Sequence, residues 1–332
     1  MPRAAVALGG NAVMPGADAT FDEQMATVRD TVDQLAALRA EGYDFLCTHG
    51  NGPQVGNRLL EQECADTPAM PLDILVAETQ AQLGAMLQRA LDAALDEDFL
   101  TIVTQTVVDP DDPAFDDPTK PIGPRYTREE AEAKAFPTAR VADGPDGEAR
   151  YRRVVASPEP QSVVESEEIA ALVERGQGVI CGGGGGVPVV RGGWDDGGRP
   201  VDGERDGEKD HEKHEADADD RTLTGVPAVV DKDYTTRLLA DAVGADDLVF
   251  LTDVERVYLD YGSDDAEPLD AVDAATMREH LAAGEFGAGS MRPKVEAALR
   301  FLESGGERAI VCLPDELAAA VDGEAGTRIT RG

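Results

Sequence analysis

Asp44–Gly56 reads DFLCTHGNGPQVG and contains the features that decide the fold class. Its first part, Asp44–Thr48, is an apolar run of strand length, and Gln54–Gln62 has the spacing of a helix. A helix in that position points its first N–H groups and its dipole at an anion lying over Gly50–Gly52. Gly56 falls one residue too late for the GxGxxG dinucleotide pattern. The stretch therefore predicts an anion-binding turn between a strand and a helix.

The N-terminus repeats this arrangement, since the predicted strand Ala4–Leu8 ends at the glycine pair Gly9-Gly10. A simple tight turn is the alternative for either motif taken alone. Two such turns meet at the carboxyl edge of a parallel sheet, where α/β folds bind their ligands. Further strands are predicted at Leu100–Val107, Gly178–Cys181, Ala228–Val230, Leu248–Thr252 and Ala309–Cys312, and further helices at Phe21–Arg39, Pro71–Leu95, Tyr234–Ala242, Ala274–Ala282 and Met291–Leu302. This alternation predicts an α/β fold with a mostly parallel sheet and helices on both faces.

The composition is strongly acidic, because 332 residues carry 66 Asp and Glu against 30 Lys and Arg, a net charge of −36. A polyanion gains nothing from displacing the counterions of duplex nucleic acid or anionic lipid, so neither is an expected partner. Molar salt shortens the screening length to about 3 Å, and we expect a salt-rich cytoplasm as the working environment. A merely acidic mesophilic protein is the alternative. No apolar run reaches the roughly 18 residues of a membrane span, and no signal peptide is expected.

Two segments interrupt the alternation of strands and helices. Asp109–Pro160 is rich in Pro, Asp and charge, and we expect a small excursion with its own structure there, because structureless loops of that length are uncommon. Gly192–Thr222 contains 12 acidic and five basic residues and almost no apolar ones, which predicts a solvated surface loop. His211 and His214 within it could bind a metal ion, with an unliganded loop as the alternative. The four cysteines form no CxxC pair, which indicates free thiols.

Four further motifs lie at strand ends or helix starts. Five glycines, Gly182–Gly186, follow an apolar run; a flexible linker would explain them, but strands on both sides favour a phosphate-binding turn. In Val230–Asp233 (VDKD), two aspartate carboxylates flank a lysine and keep it charged and oriented. Leu251–Tyr258 (LTDVERVY) suits the edge of a planar base, or is an ordinary strand exit. Phe286–Lys294 places a lysine in a first helical turn, where the dipole disfavours a cation unless an anion binds.

Lysine is rare in this sequence, since only six of the 30 basic residues are Lys. Three of these, Lys120, Lys232 and Lys294, lie in Gly- or Pro-rich segments. Phosphoryl transfer needs positive charge around the moving group and little covalent chemistry from the protein. Three ammonium groups and three Gly-rich turns therefore predict a phosphoryl-transfer site. The sequence contains neither a GxxxxGK[ST] P-loop nor the HRD and DFG motifs of protein kinases.

Six motifs follow one another along the chain, at residues 8–12, 49–56, 118–124, 181–189, 230–233 and 289–294. Together and in this order, they resemble the carbamate kinase family, a branch of the amino acid kinase superfamily. The resemblance covers nearly the whole chain. It implies an open three-layer αβα sandwich, a single amino acid kinase domain over 1–332, and a homodimer. The implied parts are a substrate half at about 1–190 with a protruding subdomain at about 110–160, the acidic loop 192–222, and a nucleotide-binding half at about 223–332.

The same resemblance implies the reaction ATP + carbamate = ADP + carbamoyl phosphate, with Mg²⁺ on the nucleotide and ATP formation in arginine fermentation. It implies that Lys232 and Lys294 stabilise the transferring phosphoryl group, that Asp233 orients both lysines, and that Lys120 contacts carbamoyl phosphate. The backbone amides implied to hold the transferred phosphate are those of Gly9, Gly10, Asn11, Gly50, Asn51 and Gly52. The residues implied for the nucleotide are Gly184, Lys232, Thr252, Asp253, Val254, Tyr258, Met291 and Lys294.

Three alternatives compete with this interpretation. A kinase for N-acetylglutamate or glutamate usually carries a lysine two residues before the first glycine pair, where this chain has Ala7 and Leu8. A non-catalytic regulator that binds nucleotide or carbamoyl phosphate would be expected to lack a site lysine, yet all three lysines are present. A Rossmann dehydrogenase is disfavoured by the late Gly56 and the additional phosphate-binding turns.

Overall fold

Strands and helices alternate along the computed structural model, which describes residues 1–13, 19–64, 66–144, 147–192, 222–287 and 291–332. The strands are β1 (Arg3–Leu8), β2 (Asp44–His49), β3 (Phe99–Thr101), β4 (Gln105–Val108), β5 (Lys120–Tyr126), β6 (Thr138–Asp143), β7 (Ala149–Val155), β8 (Pro160–Val163), β9 (Gly178–Ile180), β10 (Val187–Arg191), β11 (Leu223–Gly225), β12 (Asp247–Leu251), β13 (Val257–Leu259), β14 (Glu267–Leu269), β15 (Ala271–Asp273), β16 (Arg308–Cys312) and β17 (Thr327–Thr330). The helices are α1 (Phe21–Ala40), α2 (Gly52–Cys64), α3 (Leu72–Leu95), α4 (Arg128–Glu132), α5 (Ser166–Glu174), α6 (Lys232–Ala242), α7 (Ala274–Ala283), α8 (Met291–Ser304) and α9 (Leu317–Val321).

A central sheet of the described strands has the order β15-β17-β16-β12-β1-β2-β9-β3. The strands from β16 to β3 are parallel, while β17 runs antiparallel to β16. Val6 of β1 lies in register between Cys47 of β2 and Val249 of β12, and all three side chains are fully buried. Continuous apolar strands are typical of a parallel sheet that is covered on both faces. The predicted α/β class with a mostly parallel sheet is confirmed.

Helices cover both faces of the sheet because successive strand residues point to opposite sides. Ala5 and Ala7 of β1 belong to a core that includes residues of α5, α6, α7 and α8. Val6 and Leu8 belong to a second core, formed with α1, α3 and α9. The predicted three-layer αβα sandwich is therefore confirmed.

The prediction of one strand over Leu100–Val107 is wrong. This segment contributes β3 to the edge of the central sheet and β4 to a second sheet of order β11-β10-β4-β8. The predicted strand is interrupted at Thr104. The Thr104 N–H donates to Gln80 Oε1 at 3.0 Å, and the Thr104 carbonyl accepts from Gln80 Nε2 at 3.1 Å. The Thr104 carbonyl also accepts from Val187 N–H of β10 at 2.8 Å, so the backbone passes from the central sheet to the second sheet at Thr104.

Residues 109–159 leave the second sheet after β4 and return to it at β8. They contain an antiparallel sheet of order β5-β7-β6, called the small sheet below. It packs on α2, where Ile122 of β5 contacts the cluster that contains Val55 and Leu59. The prediction of a strand over Ala228–Val230 is wrong, because this segment forms only an isolated bridge from Ala228 to Ala156.

The predicted acidic loop Gly192–Thr222 lies outside the described residues except for its two ends, and so do His211 and His214. The ends are adjacent, since Gly192 N–H donates to Thr222 O at 3.0 Å. None of the described helices has the length and apolar character needed to cross a bilayer.

The four cysteines are free thiols, as predicted. Cys47, Cys181 and Cys312 are buried, and Cys64 is exposed. Burial raises the pKa of both Cys181 and Cys312 to about 12, so these thiols stay protonated and act as apolar packing groups.

Candidate active site

The turns after β1 and β2 lie side by side at the carboxyl edge of the central sheet. Gly9 N–H donates to Leu251 O of β12 at 3.0 Å, and Gly50 N–H donates to Leu8 O of β1 at 3.0 Å. These bonds hold each turn against the end of a neighbouring strand. A Cβ on Gly9 would lie 2.6 Å from Leu251 O, so this close approach requires glycine.

A cavity of about 370 Å³ lies between these turns, the start of α6 and the small sheet. Its lining includes the following residues predicted for the site: Gly10, Gly50, Asn51, Gly52, Lys120, Gly184, Lys232, Asp233 and Lys294. Apolar side chains, including those of Val55, Ile122 and Val229, complete the wall. The fold thus brings residues from six separate sequence motifs to one concave site, which is the usual form of a small-molecule site.

The turn Gly182–Gly186 is fixed by threonine hydroxyls. Gly182 N–H donates to Thr104 Oγ1 at 2.9 Å. The hydroxyls of Thr106 and Thr235 both donate to Gly185 O at 2.8 Å. These partners come from the second sheet and from α6, so the turn is anchored on two sides. The flexible-linker alternative is therefore wrong.

Asn51 is held in one orientation beside this turn. Its Nδ2 donates to Thr79 Oγ1 at 2.9 Å. The Thr79 hydroxyl lies 2.9 Å from the carbonyls of Leu75 and Val76, which can only accept, so it must accept from Asn51. The Asn51 amide packs on Gly184, where an added Cβ would lie 2.2 Å from both Nδ2 and Oδ1. Gly184 also has φ +62°, a second reason for glycine at this position.

Two lysines share one buried carboxylate at the start of α6. Asp233 Oδ1 forms an ion pair with Lys232 Nζ, and Asp233 Oδ2 accepts from Lys294 Nζ at 3.0 Å. Asp233 is 4% exposed and Lys294 is 10% exposed, so both are shielded from bulk water. Burial lowers the pKa of Lys232, Asp233 opposes that shift, and Lys294 adds to it. The cluster carries a net positive charge when both lysines are protonated, which suits an anionic ligand.

Lys120 reaches the same cavity from the small sheet. Its Nζ donates to Asp231 Oδ2 at 2.8 Å. Burial opposes the ionisation of Asp231, but the ammonium groups of Lys120 and Lys232 outweigh it and hold the pKa of Asp231 below its ordinary value. Asp231 also caps α6, because its Oδ1 accepts from Asp233 N–H at 3.0 Å.

His49, at the end of β2, could act as an acid or base, with a structural role as the alternative. The ring is buried, and burial lowers its pKa to about 4, so the imidazole is neutral. Its surroundings are tight, since an added Cβ on Gly183 would lie 2.6 Å from the ring. The geometry thus favours the structural alternative for this histidine.

The other residues predicted for the site do not line the cavity. Gly9 and Asn11 flank Gly10 in the first turn, and Thr252 follows β12 directly after the Leu251 carbonyl that Gly9 contacts. Four further residues are predicted to contact the nucleotide. Asp253 and Val254 lie between β12 and β13, Tyr258 lies in β13, and Met291 begins α8. Their role in nucleotide binding stays a prediction.

The VDKD motif predicts Asp231 only as a carboxylate beside Lys232, and the sequence analysis predicts neither its contact with Lys120 nor the contact of Thr79 with Asn51. An aspartate near the start of a predicted helix is a recognised N-cap signal, and that signal could have identified the capping role of Asp231. Thr79 lies inside the mostly apolar helix α3, where its contact with Asn51 depends on tertiary packing. The sequence pattern therefore contains no signal for Thr79.

The cavity's donor set fits a metal ion that arrives with a ligand. The described residues contain no group of three or more His, Cys, Asp or Glu able to hold a metal. The two carboxylates in the cavity, Asp231 and Asp233, are already engaged with lysine ammonium groups. Mg²⁺ commonly binds through nucleotide phosphates and water with few protein ligands. This chemistry suits an ion carried on nucleotide phosphates.

The amino acid kinase family profile matches residues 2–198 and 211–312 of the chain. The chain belongs to the amino acid kinase family. The carbamate kinase of Halobacterium salinarum is 47% identical over 325 residues, covering 98% of this chain and 97% of that protein. The carbamate kinase of Pyrococcus furiosus is 41% identical over 337 residues, covering 98% of each chain.

Solved structures also support membership of this family. The carbamate kinase of Giardia lamblia bound to AMP-PNP superposes with a TM-score of 0.82 at 32% identity, covering 99% of this chain and 98% of that chain. A structure from Aeropyrum pernix superposes with a TM-score of 0.83 at 37% identity, covering 99% of this chain and all of that chain. The carbamate kinase resemblance drawn from the motifs is confirmed, and the chain is a kinase of this family. The similarity to the Halobacterium protein also fits the salt-adapted acidic composition.

Proposed function

We propose that this chain transfers a phosphoryl group reversibly between carbamoyl phosphate and ADP, forming carbamate and ATP. The observation that carries the proposal is the cavity where Lys120, Lys232 and Lys294 converge beside the turns that contain Gly10 and Gly50. Phosphoryl transfer needs fixed positive charge together with backbone N–H groups around the transferred group. The carbamate kinase relatives supply the identity of the acceptor.

In the direction of ATP synthesis, an oxygen of the ADP β-phosphate attacks phosphorus in line. The P–O bond to the carbamoyl group breaks as the new P–O bond forms, and carbamate leaves with the bonding electron pair. Both oxygens are anionic, so no strong base is needed. Lys232 and Lys294 would neutralise charge on the moving group, and Asp233 would keep their ammonium groups in place.

The N-terminal half of the chain would bind mainly carbamoyl phosphate, and the C-terminal half would bind mainly the nucleotide. The turns at Gly9–Asn11 and Gly50–Gly52 would hold the transferred phosphate through the backbone N–H groups of Gly10, Asn11, Asn51 and Gly52. The predicted contacts from the N–H groups of Gly9 and Gly50 are wrong, because these two groups donate to the carbonyls of Leu251 and Leu8. Lys120 would contact carbamoyl phosphate from the small sheet. Gly184, Thr252, Asp253, Val254, Tyr258 and Met291 would contact the nucleotide together with Lys232 and Lys294. Mg²⁺ on the nucleotide would neutralise part of the phosphate charge.

The working environment follows from the surface charge. We propose that the protein works in a salt-rich cytoplasm, because a net charge of −36 destabilises a compact chain when it is unscreened. The homodimer that the family resemblance implies is part of the same proposal. Arginine fermentation would use the reaction in the direction of ATP formation. The organisation into a substrate half, a protruding subdomain and a nucleotide half is part of the same proposal.

The test measures ATP formation from ADP and Mg²⁺ in molar KCl with three donors: carbamoyl phosphate, acetyl phosphate and N-acetylglutamyl phosphate. The proposal requires the highest kcat/KM with carbamoyl phosphate. A higher kcat/KM with N-acetylglutamyl phosphate would contradict it. Folded protein that forms no ATP from any donor would instead indicate a binding or regulatory role.

A further inference from the structure

We propose that Asp231 is a positioning residue for phosphoryl transfer, because it holds the Lys120 ammonium over the cavity and joins the small sheet to α6. This inference rests on the proposed function, which gives Lys120 its contact with carbamoyl phosphate. Asp231 would touch no substrate in this role. It would act through Lys120, whose side chain is long and mobile unless something orients it.

Backbone register brings the two residues together. Lys120 at the start of β5 lies opposite Val155 at the end of β7. The next residue, Ala156, accepts a hydrogen bond from Val229 N–H at 3.0 Å, and Asp231 follows two residues later. The small sheet is thus attached to the segment that enters α6. This backbone attachment places Lys120 and Asp231 next to each other, so their ion pair is not an incidental contact between two surface side chains.

The Asp231 carboxylate uses its two oxygens for two different tasks. Oδ2 accepts from Lys120 Nζ at 2.8 Å, and Oδ1 accepts from Asp233 N–H at 3.0 Å. The second bond caps the helix whose first two residues are Lys232 and Asp233. One side chain therefore fixes Lys120 relative to the lysine pair on the opposite wall of the cavity.

The environment of the pair supports a positioning role. The Asp231 side chain is 14% exposed and that of Lys120 is 33% exposed, so the carboxylate is shielded while the ammonium keeps access to the cavity. An ammonium has three N–H donors, and Asp231 takes one of them. The others can serve a phosphate while the nitrogen stays in place. Displacing a substrate-contacting group by about 1 Å can cost about 100-fold in rate, so such an anchor has a measurable effect.

The experiment separates the two tasks of Asp231. Serine also caps helices but is too short to reach Lys120, so Asp231→Ser keeps the cap and loses the anchor. Asparagine caps helices and keeps a neutral acceptor, so Asp231→Asn should be less impaired than the serine variant. Asp273→Ser is the matched control, because Asp273 caps α7 by accepting from Thr276 N–H at 2.9 Å and lies outside the cavity lining.

We expect Asp231→Ser to lower kcat for ATP formation from carbamoyl phosphate by about tenfold or more. The KM for ADP should stay within about twofold, because α6 remains capped. Asp273→Ser should match the wild type. A raised KM for ADP with an unchanged kcat would show that Asp231 acts through the helix alone and would overturn the inference.

A double-mutant cycle with Lys120→Met gives the decisive comparison. If Asp231 acts through Lys120, adding Asp231→Ser to Lys120→Met changes kcat by less than about threefold. An equal loss in both backgrounds would overturn the inference while leaving the proposed function intact. Wild-type protein that forms no ATP from carbamoyl phosphate would instead refute the proposed function, and full activity of Lys120→Met would refute the role assigned to Lys120.

Discussion

Asp233 Oδ2 accepts a hydrogen bond from Lys294 Nζ at 3.0 Å, and this contact joins the first turn of α6 to the first turn of α8. Both helices begin at the cavity, and a lysine there opposes the helix dipole. The shared carboxylate offsets this cost for Lys294 and pairs with Lys232 at the same time. The lysine pair is therefore fixed before any phosphate arrives.

Replacing the shared carboxylate should change the pH dependence of catalysis. Burial and Lys294 lower the pKa of Lys232, and Asp233 opposes them, so Asp233→Asn should lower it further. Lys232 would then lose its proton at a lower pH, and the alkaline limb of the kcat profile should move toward acid. The measurement is kcat for ATP formation between pH 6 and 10.

Asp241→Asn is the control for this profile, because Asp241 lies on the same helix and pairs with Arg237 outside the cavity lining. Its profile should match the wild type. An unmoved alkaline limb in Asp233→Asn would contradict the assigned role of the carboxylate.

Gly184→Ala should destabilise the protein more than an ordinary glycine replacement. Gly184 has φ +62°, and a Cβ would meet the Asn51 amide at 2.2 Å. Gly42 has φ +88° with open space around it, so Gly42→Ala isolates the cost of backbone conformation. We expect a loss of about 1 kcal/mol for Gly42→Ala and about 3 kcal/mol for Gly184→Ala, measured by urea unfolding. Equal losses would argue against the close contact with Asn51.

The buried His49 predicts a specific acid sensitivity. Its folded pKa of about 4 lies below the ordinary value of 6.5, so the unfolded chain binds more protons between these values. Stability therefore falls as the pH drops through this window, by about 2 kcal/mol between pH 7 and pH 5 from this group.

The measurement is urea unfolding at both pH values for the wild type and His49→Asn. The variant should lose about 2 kcal/mol less on acidification than the wild type. His280→Asn, in the last turn of α7, serves as the control for a general effect of removing a histidine. The same acid loss in His49→Asn and the wild type would refute the assignment of a neutral buried ring.

Removing residues 195–218 should leave turnover intact. The described residues on either side of this part of the chain are adjacent, since Gly192 N–H donates to Thr222 O at 3.0 Å, so a short connection can close the gap. The kcat and KM for carbamoyl phosphate should stay within about twofold of the wild type, since surface loops tolerate large changes in length. A large loss of activity in protein that is still folded would show that the segment contributes to the reaction.

The sequence supports the layered fold well because apolar strands and helical spacing are local signals. Asp44–Thr48 and Phe21–Arg39 match β2 and α1 to within a residue at either end. The split of Leu100–Val107 between two sheets occurs at Thr104, which bonds to Gln80 of α3 and to Val187 of β10. No local pattern contains that information. The antiparallel strand β17 likewise shows its pairing only in the folded chain.

The candidate site, like the fold, has residues that local sequence signals predict and contacts that depend on packing. Glycines and lysines stand out in the sequence, because positive φ, close approach and isolated ammonium groups restrict the residue type. The partners that orient them, Asp231 for Lys120 and Thr79 for Asn51, come from other parts of the chain. Pairing of side chains across 111 and 28 residues is a property of packing, which the sequence pattern does not report.

The central claim is that the lysine pair at Asp233 stabilises the transferring phosphoryl group. The most direct test is kcat for ATP formation from carbamoyl phosphate by Lys232→Met, with Lys134→Met as the control because Lys134 pairs with Glu63 away from the cavity. Losing one fixed charge at the reacting group should lower kcat by about 100-fold or more. The control should match the wild type. A loss of less than about threefold in folded Lys232→Met would contradict the account.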